Sequence, residues 1–109
     1  MKIREIKENK KQFLSLLLLA DEQENMIDRY LERGTMYVLN DNGVKAECVV
    51  TDECNGILEI KNIATVPEYQ GKGYAKALID FIVKEYADKY SVLQVGTGDS
   101  PLTVPFYEK

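Results

Sequence analysis

The chain has 109 residues, enough for one small domain with a modest core. Apolar residues make up 45%, a globular composition, and a net charge of −4 with a pI near 4.9 argues against general affinity for nucleic acid. No histidine is present, which removes the commonest general base, the Ser-His-Asp and Cys-His arrangements and most zinc sites.

Lys2 to Lys7 alternates weakly around Ile3 and Ile6 and opens as a short strand. From Asn9 the period becomes helical: Phe13, Leu16, Leu17 and Ala20 form one stripe, and Met26, Ile27, Tyr30 and Leu31 a second. Asp21 separates them and Gly34 ends the segment, so two helices or one bent helix occupy roughly 9–33. The run Leu16 to Ala20 is far too short to span a membrane, and Met1 to Glu5 lacks a signal-peptide core. Acidic Asp21, Glu22, Glu24 and Asp28 read as a solvated face, with attraction of a cationic amine as the alternative.

Three strands follow. Thr35 to Asn40 is the first, and Asp41-Asn42-Gly43 is a hairpin turn. Val44, Ala46, Cys48 and Val50 alternate with more polar neighbours, which predicts a half-buried strand. Asp52 to Gly56 turns again, and Ile57 to Val66 is the third strand of an antiparallel meander. Its alternation slips: Leu58 and Ile60 share one phase and Ile63 has the other, which predicts a bulge or a change of burial, beside a site or as an ordinary edge distortion. Cys48 reads as a buried strand residue and Cys54 as a turn residue. Two free thiols, and no metal cluster, fit a reducing cytoplasm.

After Pro67 the period is helical again. Ala75, Leu78, Ile79, Ile82, Tyr86 and Tyr90 make a stripe on a helix expected over 71–89, followed by a strand at Ser91 to Val95. The turn between strand and helix carries the chemistry. Gly71 and Gly73 let an anion approach the main chain, Lys72 adds a cation, and the helix N-terminus supplies free N–H groups. A flexible surface loop is the plain alternative. A Walker loop is excluded by spacing. A dinucleotide fold is excluded because the upstream strands form a meander and no third glycine is present.

At this point Asn62 to Ala75 resembles the acetyl-CoA motif of the GNAT superfamily of N-acetyltransferases, with Gln70, Gly73 and Ala75 matching the pattern Arg/Gln-x-x-Gly-x-Gly/Ala. The resemblance covers the whole chain and implies an α+β fold: a mixed sheet with helices on both faces and one domain over 1–109. It further implies that the amides of Gln70, Gly71, Lys72, Gly73, Tyr74 and Ala75 hold the CoA pyrophosphate. Ala64, Thr65 and Val66 would pair with pantetheine as an added strand. Tyr107 would protonate the departing thiolate and Glu59 would act as base. The expected reaction is direct acetyl transfer from acetyl-CoA, without a metal, to a primary amine of a small molecule or peptide. A non-catalytic acyl-CoA-binding module is the alternative. Neither nucleic acid nor a membrane is an expected partner.

Asp99-Ser100 replaces an asparagine frequent in that family, and Pro101 and Pro105 leave little room for a helix before Tyr107. The family continues past Tyr-Glu-Lys into further strands, whereas this sequence stops at Lys109. The expectation is a fragment whose last strand has an open edge, with a strand-exchanged homodimer as the other solution.

Overall fold

The computed structural model describes residues 1–95 and the backbone of residues 102–105. Strand β1 (Lys2–Ile6) leads through a 3-10 turn (Lys10–Phe13) to helix α1 (Leu14–Ala20) and the single-turn helix α2 (Glu24–Ile27). The meander is β2 (Thr35–Asn40), β3 (Val44–Asp52) and β4 (Ile57–Thr65). A 3-10 turn (Pro67–Tyr69) precedes α3 (Tyr74–Tyr86), then β5 (Val92–Val95) and β6 (Leu102–Pro105). The strands form one sheet in chain order, antiparallel throughout except for the parallel β4–β5 pair, which α3 connects.

Each face of the sheet buries one apolar layer. Leu39, Ala46, Cys48, Val50, Leu58 and Ile60 pack with Leu78 and Ile82 of α3. Met36, Val38 and Val49 pack on the other face with Leu17 and Ile27 of the first two helices. The fold is therefore α+β with helices on both faces, as expected.

The slip in β4 is a bulge. Val49 faces Asn62 and Val50 faces Ile60, so Lys61 has no partner across β3. By absorbing Lys61, the bulge keeps Leu58, Ile60 and Ile63 all on the α3 side. Glu59, Asn62 and Ala64 consequently occupy the α1 face.

Four expectations need correction. The helix expected to run on to about residue 33 ends early: α2 stops at Ile27, Tyr30 and Leu31 are buried from the turns that follow, and Met26 is 37% exposed. The long helix begins at Tyr74 rather than 71, because left-handed Gly71 (φ 81°) and Gly73 (φ 86°) cannot continue a right-handed helix. It ends at Tyr86, and the next turn closes with Lys89 and Tyr90 amides on Tyr86 O. Strand β3 is not half-buried, since Ala46 through Thr51 are all covered by helices on the two faces. Nor is β5 an open edge: β6 pairs with it antiparallel, from Val92↔Pro105 to Val95↔Leu102. Pro105 sits at the sheet's margin, where its missing N–H costs no ladder bond.

Candidate active site

The turn after β4 presents bare main chain. A Cβ built on Gly71 or Gly73 would meet nothing within 4 Å, so the main chain at both glycines faces open space. The first helical bond runs from Ala77 N–H to Gly73 O (3.0 Å). Among the described residues, the amides of residues 71–76 have no acceptor. They cluster at the positive end of a 13-residue helix, an arrangement that binds anions.

The β2–β3 hairpin closes against this turn. Lys45 O accepts Val66 N–H (2.8 Å), and Lys45 Nζ lies 3.9 Å from the centre of the Tyr69 ring. Tyr74 OH donates to Asp41 Oδ2 at 2.7 Å, a bond that raises the tyrosine pKa and ties the start of α3 to the hairpin. Lys72 is exposed on the turn itself.

Next to the turn lies a free strand edge. β5 pairs with β4 from Ile57 only as far as Ile60, the residue before the bulge. From Lys61 to Thr65, the edge of β4 away from β3 has no strand partner among the described residues. Its N–H and C=O groups suit an extended ligand. Gln70 Nε2 makes a long contact to Thr65 O (3.4 Å).

The α1 face of the same strands is polar. Glu59 is 8% exposed, pairs with Lys61 Nζ (3.0 Å) and accepts from Gln94 Nε2 (2.9 Å). Glu53 beside it accepts from Thr51 and Arg33, and these contacts, Thr51 foremost, hold its pKa down. Glu47 on β3 is fully buried, and burial pushes its pKa up to about 8. Asn62 is 2% exposed and donates through Nδ2 to Leu17 O and Tyr30 OH, both at 3.0 Å.

The structure thus brings Ala64, Thr65, Val66 and the residues Gln70 to Ala75 together at one end of β4. Glu59 stands on the α1 face roughly 20 Å back along that strand from Thr65, at about 3.3 Å per residue. Tyr107 and Asp99-Ser100 lie outside the described residues.

A family model described as "Acetyltransferase (GNAT) domain" matches residues 32–109. This chain belongs to the GNAT acetyltransferase family. GNAT membership makes it an acyltransferase by class. An N-acetyltransferase of Bacillus subtilis, YvbK, described as uncharacterized, is 32% identical over 105 residues, covering 94% of this chain and 68% of the relative. An IAA acetyltransferase from Bacillus cereus is 39% identical with a TM-score of 0.81, covering 91% of this chain and 67% of that one. A GNAT acetyltransferase from Elizabethkingia anophelis, solved with acetyl-CoA bound, is 31% identical with a TM-score of 0.81, covering 91% and 66%. The chain spans about two thirds of the length of these relatives.

Within the GNAT frame, three residues escaped the sequence reading. Lys45 could have been found by counting register across the Asp52–Gly56 turn that joins β3 to β4, which, with the extra residue at the bulge, puts it beside Val66. Glu47 and Asn62 gave no such signal, because their burial depends on the helix that covers them.

Proposed function

We propose that this GNAT chain binds acetyl-CoA at the Gln70–Ala75 turn and along the free edge of β4, and passes the acetyl group to a primary amine of a small molecule or peptide. The observation that carries the reading is the run of acceptor-free amides at 71–76 next to an unpaired strand edge. The open glycines fit a pyrophosphate, which needs close main-chain approach, and Lys72 and Lys45 add positive charge beside it. Ala64, Thr65 and Val66 offer strand-like pairing to pantetheine. The bound relative from E. anophelis supports the choice of donor.

Catalysis in this reading is positioning plus proton transfer. The amine nitrogen attacks the thioester carbon, the C–N bond forms and the C–S bond breaks. Glu59 takes a proton from the amine, and Tyr107 gives one to the leaving thiolate. The free thiols of Cys48 and Cys54 support a reducing, cytoplasmic setting.

Calorimetry with acetyl-CoA and a thiol-release assay across an amine panel test the proposal. Micromolar binding with amine-dependent thiol release is expected, and Tyr107→Phe should lower turnover at least tenfold while leaving the Kd for acetyl-CoA within twofold. Absence of binding overturns the donor site. Binding without release from any amine leaves the non-catalytic module in its place.

A further inference from the structure

In the acetyl-CoA reading, an electrophile lies beside a lysine of the chain itself. Lys61 is the extra residue of the β4 bulge, without a partner across β3, and it is also the first residue of the free edge. Its Nζ lies 3.0 Å from Glu59 Oε2 and 4.0 Å from Glu53 Oε2. Glu53 is held independently by Thr51 and Arg33, so Glu59 is the lysine's closer partner. Gln94 Nε2 donates to Glu59 Oε1 (2.9 Å), which fixes the carboxylate and leaves Oε2 to the lysine. The Lys61 side chain keeps 24% of its surface open, against 11% for Glu59. A primary amine therefore touches the carboxylate assigned to take an amine's proton.

The length of the donor brings its reactive end to the same place. From the pyrophosphate to the sulfur, pantetheine runs through about twelve bonds, roughly four extended residues at three bonds each. Counted back from Val66 along β4, that length sets the thioester level with Asn62, next to the bulge. We propose that Lys61 is a self-acetylation site, which takes the acetyl group of bound acetyl-CoA when no other amine is present. The inference rests on the acetyl-CoA reading for the position of the thioester. The Lys61 ammonium gives one proton to Glu59, and the neutral Nζ attacks the thioester carbon. The N–C bond forms, the C–S bond breaks, and the second nitrogen proton goes to the leaving thiolate. The product is a neutral amide, so Glu59 loses its cation and the acceptor end of the groove is filled by the chain's own side chain.

The test is peptide mapping by mass spectrometry of the full chain incubated with acetyl-CoA and no amine. Lys61 should gain one acetyl group. Its rate should saturate where calorimetric binding of acetyl-CoA saturates, stay constant when the protein is diluted tenfold, and fall at least tenfold under excess CoA. Lys76, with 80% of its side chain exposed, is the internal reference for ordinary chemical labelling. Acetic anhydride should label Lys76 ahead of Lys61, and acetyl-CoA should reverse that order. Acetylation spread over the exposed lysines, a rate that falls on dilution, or an unmodified Lys61 in a protein that binds acetyl-CoA overturns the proposal. Absence of acetyl-CoA binding overturns the donor site and the proposal with it, so calorimetry distinguishes the two failures.

Discussion

Two glycines set the limits of substitution, for different physical reasons. Gly73 holds φ 86° with open space around it, so a side chain there is opposed by backbone conformation and by whatever anion approaches, not by the protein's own atoms. Gly73→Val should cost roughly 1–2 kcal/mol of stability for the left-handed conformation and weaken acetyl-CoA at least tenfold. Urea denaturation and calorimetry on the same sample separate the two effects. Gly34 is the opposite case. Its Cβ would lie 2.9 Å from Tyr30 O and from Val49 Cγ1 and 3.0 Å from Val50 O, where backbone cannot yield cheaply. Lys10 Nζ also anchors this segment between α2 and β2 through Leu31 O and Gly34 O, both at 2.8 Å. Gly34→Ala should therefore destabilise by roughly 1–3 kcal/mol through overpacking, with acetyl-CoA affinity unchanged in the folded fraction. Sequence could name both glycines, yet it read Gly34 only as a helix stop, because the strand that presses on it is distant in the chain.

At the scale of elements, Lys61 is the residue that opens the site. Deleting it leaves Glu59, Asn62 and Ala64 on the α1 face and Leu58, Ile60 and Ile63 on the α3 face, since the remaining residues then alternate perfectly. The deletion variant should fold. It loses the ion pair that Lys61 makes with Glu59 (3.0 Å), so a modest fall in melting temperature is expected. What it removes is the bulge that coincides with the point where β5 parts from β4. Acetyl-CoA binding should weaken at least tenfold in a protein whose circular dichroism remains native-like; unchanged affinity would mean that the bulge does not shape the edge. This bulge was legible beforehand because strand periodicity is strict and one extra residue shifts it visibly. The hairpin at Asn42-Gly43 and the turn at Gly71–Gly73 were legible for a similar reason: each needs a backbone conformation that few residues adopt. The boundaries of α3 were not, because apolar spacing runs on through Tyr90 beyond the last helical residue.

Across the whole molecule, what sequence could not show is which strand is covered twice. Alternation in β3 suggests one wet face, and Glu47 would stand on it. Placing α1 and α2 over that face buries Glu47 completely, beside Val38 of β2 and Ala64 of β4. The charged and titratable groups near it are Tyr30, which burial pushes up to about 12, and Asp21 bonded to that tyrosine, while α1 itself presents none. A carboxyl so placed is easier to keep protonated than in the unfolded chain. Its pKa rises from 4.5 to about 8 on folding, so between those values the native state holds a proton that the unfolded state has released. The sign follows directly: Glu47 contributes its full stability below about pH 4.5, and that contribution is lost as pH rises through about 8. The expected slope is a loss of up to roughly 1.4 kcal/mol per pH unit, against the usual gain of stability on leaving acid. Denaturation midpoints from pH 5 to 9 should fall with pH in the wild type and flatten in Glu47→Gln, which mimics the protonated carboxyl in shape and charge. A wild-type profile parallel to that of the glutamine variant would mean that Glu47 is ionised in the native protein and that burial does not hold its proton.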